Sequence, residues 1–162
     1  MSLLSTARAA RALSLGIWLG GIVMSFIVAR VIFDERIGLD RMRAGGIVFI
    51  ILQQAGRLKT ALALIAIGAE ALIFYSRASD APKGWRRHLP AALLLLASAI
   101  ALFAILWLLP RIIELREQIA DFSEKTAGSE QRLEFGRWHG ASMALLLLEA
   151  VLVAASLVTG IL

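Results

Sequence analysis

Four apolar runs divide the chain, at about residues 13–33, 58–76, 90–109 and 139–161. Each is about 20 residues long, and at about 1.5 Å of rise per residue that length of helix crosses the ~30 Å hydrocarbon core of a bilayer. The pattern predicts an all-α fold: one transmembrane domain over residues 1–162, an integral membrane four-helix bundle. Two intervening stretches, about 40–56 and 111–127, mix apolar and charged residues. They predict amphipathic helical segments on one side of the membrane. Arg8 and Arg11 precede the first run, which continues to Phe33. It is longer than the apolar stretch of a signal peptide, so a retained span is expected.

Within the first run Gly16 and Gly20 form a GxxxG pair, and Gly21, Ser25 and Ala29 repeat small residues every four positions. Such stripes let helix backbones approach closely, so Gly16, Gly20, Gly21 and Ser25 are expected to serve helix packing. No proline occurs from Asp40 to Ser76, yet one straight helix over that length would measure about 55 Å. Gln53, Gln54, Arg57 and Lys59 interrupt its apolar character, predicting an interfacial or protruding first part and then the second span. Ala81-Pro82, Gly84 and Trp85-Arg86-Arg87 predict a short polar turn with an interface anchor. Pro90 suits the first turn of the third span. Beyond Pro110, Ile112, Ile113, Leu115, Ile119 and Phe122 recur at helical spacing until Gly128 and Ser129, which are expected to break the segment.

Four spans put both termini and the 77–88 turn on one side, side A, and the 34–59 and 110–137 connections on the other, side B. Of 17 Lys and Arg residues, 6 fall on side A and 11 on side B. The positive-inside rule therefore points side B to the cytoplasm.

Composition supports lipid as the solvent: 59% of residues are hydrophobic and the mean hydropathy is +0.79, far above soluble usage. The net charge of +5 comes from residues flanking apolar runs, where anionic headgroups account for it, and no nucleic-acid motif accompanies it. Absence of cysteine excludes disulfides, thiolate catalysis and Cys-ligated metals. The two histidines, His88 and His139, fall at opposite membrane sides, which argues against a shared haem or metal within one chain. No GxSxG, HExxH, P-loop or dinucleotide fingerprint occurs, so an enzyme is the less expected class. No metal site is expected, and no cofactor is specified.

Two acids stand out, because a central carboxylate costs about 2.5–3.5 kcal/mol on insertion scales unless it is paired. They are Glu70 in the second span and Glu149 in the fourth, both placed near the midplane by counting residues, where they are able to meet. As a pair they would suit a proton- or cation-coupled site; singly, each reads as a protonated or hydrogen-bonded group. Two carboxylates fall short of the about six oxygen ligands of a magnesium- or calcium-type centre.

The segments GIWLGG and VIF in the first span, PRIIELR after the third, and above all RLEFGRWHGAS opening the fourth resemble the transmembrane protein 205-like family, also catalogued as domain of unknown function 4149. The likeness covers nearly the whole chain. Its most specific part is the set Arg132, Phe135, Arg137, His139, Gly140 and Ser142, followed by Pro110 and Arg111. The resemblance implies four spans and leaves the activity open; a eukaryotic member is associated with resistance to platinum drugs. Family members often carry an Asn two turns after the His, where this chain has Leu146.

Residues of the resemblance gather on side B. With Arg30, Gln53, Gln54 and Arg57 they define a candidate polar cap or ligand and lipid site: Arg30, Gln53, Gln54, Arg57, Arg111, Arg132, Arg137, His139 and Ser142. Several arginines beside Gln and His suit a phosphate or carboxylate headgroup; the alternative is snorkelling to ordinary lipid and pairing with Asp34, Glu35, Glu114 or Glu117. Three functions follow, in order: transport or permeation of a small solute or ion, an accessory subunit of a larger membrane complex, and a membrane enzyme or cofactor binder. The lipid bilayer is the expected partner, with a homo-oligomer or larger complex open.

Overall fold

The computed structural model describes residues 2–76, 84–119 and 130–161, and the described residues contain no strand. The Ala81-Pro82 turn, Phe122 and the Gly128-Ser129 break lie outside them. Helix α1 spans Leu3–Ile32, α2 Arg41–Ser76, α3 Leu89–Phe103, α4 Leu109–Gln118 and α5 Glu130–Ile161. A π-helical turn, Ala104–Leu108, joins α3 directly to α4. Four helical stretches are long and apolar enough to cross a membrane: Leu3–Ile32, Arg43–Ser76, Leu89–Gln118 and Glu130–Gly160.

Local chemistry sets the ends. Ser2 caps α1 by accepting from the Ser5 amide at 3.2 Å, satisfying one of the four free N–H groups of a helix start. After α1, Asp34 accepts from the Arg36 amide to open a 3₁₀ turn, Glu35–Ile37, which Gly38 closes at φ 69, a conformation that favours glycine. Asp40 accepts from the Arg43 amide at 2.8 Å and starts α2. Pro90 sits in the first turn of α3, where its missing N–H costs nothing.

The expected division of residues 40–76 is not a break: α2 is continuous for 36 residues, about 54 Å of helix. Gln53, Gln54 and Arg57 are good helix formers grouped on one exposed face. Lys59 is turned from that face towards the bundle interior. The other long rod accommodates Pro110 in a different way. Proline lacks an N–H and its ring clashes with the carbonyl four residues earlier; just ahead of it the Leu109 amide reaches back five residues to the Ala104 carbonyl, and this wider turn re-aims α4 without ending the helix.

Contacts between helices are most extensive in α1 with α2 and in α3 with α5, so the bundle consists of two tight pairs. Between them lies one core of Leu15, Trp18, Ile22, Leu62, Ala63, Ala66, Leu94, Ala97, Ala101, Leu152 and Val153. On α1 the buried positions are Ala7, Arg11, Ser14, Leu15, Trp18 and Ile22, a stripe at three- and four-residue spacing that includes a charge. Exposed Leu, Ile and Val cover the outer faces, as lipid requires.

Aromatic residues mark two levels along the bundle. On side B, Trp107 stacks on Phe103 and meets Trp138 edge-on, each with centroids 5.2 Å apart. On side A, the Arg87 guanidinium lies 4.4 Å from the Phe74 ring centroid and donates to the Phe74 carbonyl, beside exposed Tyr75 and Trp85. From His88 to Trp107 the rod rises about 28 Å, matching the hydrocarbon thickness between two interfacial belts.

Candidate functional site

Each of the two glutamates has a basic partner of its own. Glu149, 1% exposed, accepts from Lys59 Nζ at 2.9 Å through Oε1 and 3.2 Å through Oε2. Its Oε1 also accepts from Trp18 Nε1 at 2.7 Å. Three helices, α1, α2 and α5, therefore meet on one carboxylate, whose charge is matched and whose lone pairs are occupied as burial demands.

Glu70 pairs with Arg11 Nε. The Arg11 guanidinium, 3% exposed, donates to the Ser156 carbonyl at 2.7 Å and the Ser156 hydroxyl at 3.0 Å. That hydroxyl donates to the Pro90 carbonyl at 2.9 Å. All four rods are thus tied near side A. A Cβ on Gly160 would collide with the Arg11 guanidinium, so the absence of a side chain there makes room for the charge.

The two glutamates do not meet. Lys59 and Glu70 share the inward face of α2 but stand eleven residues apart, about 16 Å along the axis. Since α5 runs parallel to α2, Glu149 lies level with Lys59, while Glu70 lies level with the Ser156–Gly160 turn. Core layers of Leu15, Ala66 and Val153 separate the two charged levels.

Above the Lys59–Glu149 pair a cavity of about 580 Å³ extends towards side B. Phe26, Leu52, Leu108, Ile112, Met143 and Leu146 line its walls, Lys59 and Glu149 its floor, and Arg30, Arg116 and His139 its upper part. Ala104, Ile105 and Leu108 of the π turn border it, so the irregular helix shapes the chamber. The Arg116 guanidinium lies over Gly45 and Gly46 and would stand 3.3 Å from a Cβ at Gly45.

The predicted cap residues divide among several places. Arg30, His139 and Ser142 line the cavity; the His139 ring is parallel to Phe135 at 5.8 Å, and Ser142 donates to the His139 carbonyl. Gln53 and Arg57 border a smaller hollow of about 180 Å³ beside Pro110, and Gln54 is exposed. Arg111 faces another corner, donating to Glu114 and Glu134 at 2.8 Å each. Trp138 Nε1 also donates to the Glu134 carboxylate, at 3.3 Å. Arg132 is half-buried and Arg137 exposed on the same turns. His88 packs against Phe74 at the opposite end.

Around Gly16, Gly20 and Gly21 an added Cβ would meet nothing within 4 Å, and Ser25 donates to the Gly21 carbonyl of its own helix. Among the described residues no group of three or more His, Cys, Asp or Glu is placed to hold a metal.

Sequence reasoning passed over Arg11, Lys59, Trp18, Arg116 and Ser156 as site residues. A signal existed for two of them: Arg11 is in helical register with Ala7, Leu15, Trp18 and Ile22, and Lys59 lies off the polar face of Gln53, Gln54 and Arg57.

Four apolar helices and charges satisfied within the bundle define an integral, multi-pass membrane protein. The chain belongs to the family described as Domain of unknown function (DUF4149), whose model matches residues 13–121. The match ends before RLEFGRWHGAS and includes Lys59, Glu70 and the π turn. No curated protein and no solved structure matches the chain.

Proposed function

We propose that this protein carries a small solute through the membrane, with the side B cavity as its binding chamber and the Lys59–Glu149 pair as the gate beneath. The buried ion pair on the cavity floor carries this reading. Intramembrane charges are costly and mark solute or proton paths, and this one is joined to an open chamber.

Two helix pairs supply a means of movement. The α1–α2 pair and the α3–α5 pair meet through polar ties at two levels: Lys59 and Trp18 to Glu149, and Arg11 to Ser156. Rocking of one pair against the other would break one level while the other holds, the principle of alternating access. Separation of the pair would release Lys59, whose long stem reaches back towards side B. With side B cytoplasmic, as the Lys and Arg count suggests, the chamber opens to the cytoplasm.

The test is flux in proteoliposomes, read with an entrapped pH dye and with release of small organic anions. Glu149→Gln is expected to slow flux at least about tenfold. Full flux in both Glu149→Gln and Glu70→Gln would sink the reading.

A second reading, a homo-oligomer or accessory subunit, is favoured by the open space around Gly16, Gly20 and Gly21. Small residues facing outward on α1 suit close approach by a helix of another chain. Chemical cross-linking in native membranes that yields only monomer would remove it.

A further inference from the structure

We infer that the chamber holds an uncharged amphiphile head-down: a hydroxyl, a primary amide or an undissociated carboxylic acid bonds to the Lys59–Glu149 pair, and an apolar body of up to about 15 Å rises towards side B. This deepens the transport reading by naming its solute class, and rests on the cavity being the solute site.

Hydrogen-bonding capacity at the floor sets the head. An ammonium has three N–H donors, and a carboxylate accepts at about four positions. Lys59 makes two contacts, both to Glu149, and no other among the described residues. Glu149 Oε1 accepts from Lys59 and from Trp18, while Oε2 accepts from Lys59 alone, at 3.2 Å. The pair therefore keeps a donor on Lys59 and an acceptor position on Oε2, and both residues border the cavity. One group that accepts and donates satisfies the two together.

Charge excludes the ions. Lys59 and Glu149 neutralise each other, so a charged head set on them would add an unbalanced charge among apolar walls. At the other end of the chamber Arg30 is exposed and Arg116 is already engaged within the protein, which leaves the choice of ligand to the floor. An organic anion qualifies once it has taken up a proton, RCOO⁻ + H⁺ → RCOOH, so its passage would carry one proton with each anion.

The walls set the body. From Glu149 to His139 is ten residues of α5, about 15 Å. Met143 and Leu146 of that stretch line the cavity together with Phe26, Leu52 and Leu108, and a volume of about 580 Å³ is that of a site for one small ligand. A wholly apolar ligand would cover the walls and leave the donor and acceptor of the pair unmet; a small polar one would do the reverse.

Trp18, bonded to Glu149, reports on the floor. In nanodiscs, a Trp85→Phe/Trp107→Phe/Trp138→Phe protein keeps Trp18 as its sole indole. It is titrated with decanol bearing bromine beside the hydroxyl or at the far end of the chain, with the methyl ether of the former, which accepts but does not donate, and with bromodecane. Saturable quenching is expected, stronger from bromine beside the hydroxyl. The ether should bind several-fold more weakly, as loss of one hydrogen bond predicts, and bromodecane should give only the unsaturable quenching of partition into lipid. Lys59→Met/Glu149→Leu, which keeps the walls and removes donor and acceptor, should lose saturation. Decyl sulfate, permanently charged, should not displace the alcohol.

Stronger quenching from the chain end, bromodecane binding as well as the alcohol, unchanged binding in Lys59→Met/Glu149→Leu, or displacement by decyl sulfate would overturn the inference. If the triple-tryptophan variant does not fold, native mass spectrometry of the unaltered protein with decanol and with its methyl ether decides the matter. Preferential occupancy by the alcohol supports the inference, and equal occupancy or none counts against it. Binding is read at equilibrium without a gradient, so alcohol binding without flux defeats only the transport reading, and flux without alcohol binding defeats only this one.

Discussion

Lys59 and Glu149 form a hydrogen-bonded ion pair, with Nζ 2.9 Å from Oε1, between two parallel helices inside a bundle whose surroundings are apolar. The two partners have unequal means of escape if the pair is broken. Lysine has a four-carbon stem and a cavity leading to side B; Glu149 is short and enclosed. Removing the lysine should therefore do more damage than neutralising the glutamate.

Lys59→Met is expected to destabilise the bundle by about 3–5 kcal/mol, the cost of leaving a buried charge without its partner. Glu149→Gln should cost less, since the freed ammonium snorkels outward and the amide still accepts from Trp18. Lys59→Met/Glu149→Leu should regain much of the loss. Thermal unfolding in one detergent, with all variants compared, provides the ranking, and equal losses in the two single variants would refute the argument.

Trp18→Phe keeps most of the buried ring and removes the N–H donated to Glu149. A hydrogen bond to a charged group contributes about 1.5–3 kcal/mol, so a loss in that range is expected. Combined with Lys59→Met, the effects should depart from additivity, because both residues act on the same carboxylate. A double-mutant cycle on unfolding midpoints measures the coupling.

Gly160→Ala places a methyl group where the Arg11 guanidinium lies. It should destabilise the protein and displace Arg11 from Glu70 and Ser156. In an Arg11→Met/Glu70→Met background, which removes both charges together, the same substitution should be nearly neutral. Unfolding midpoints of the four proteins test this; a cost independent of background would show that the glycine matters for another reason.

The hydropathy pattern carried the four spans, their order and the all-α class, because lipid imposes long apolar helices whatever the tertiary detail. It also located Glu70 and Glu149. Their partners were harder to read: Arg11 stands beside the sequence edge of an apolar run and Lys59 among polar residues, so both resemble interfacial charges. Helical phase, not hydropathy, separates them from Arg8 and Arg57, since Arg11 follows the stripe of Ala7, Leu15 and Trp18. Axial level was equally hidden. Counting residues inward from each interface placed both acids near the midplane, but the pairing of Lys59 with Glu149 and of Arg11 with Glu70 sets them about 16 Å apart along the bundle. The cavity depends on the π turn, and Pro110 alone does not specify where the extra residue will be absorbed.

That turn yields the last prediction. A π turn holds one residue more than the α-helical path, and Leu106, 73% exposed, is its least buried member. Deleting Leu106 should restore regular helix and rotate α4 by about 100° relative to α3, one residue's share of a turn of 3.6 residues. Arg116 would then leave Gly45 and Gly46, Arg111 would leave Glu134, and the cavity wall formed by Ile112 would turn away. The chain contains no cysteine, so paired cysteines report without background. Gly45→Cys/Arg116→Cys should be bridged readily by a short bifunctional thiol reagent, which replaces the length of the lost arginine side chain, in the undeleted protein and slowly in the deletion variant. A control pair away from α4, Leu15→Cys/Val153→Cys, should behave alike in both. Equal cross-linking of the 45–116 pair in the two proteins would mean that α4 keeps its direction without the π turn, and that the chamber owes its shape to side-chain packing instead.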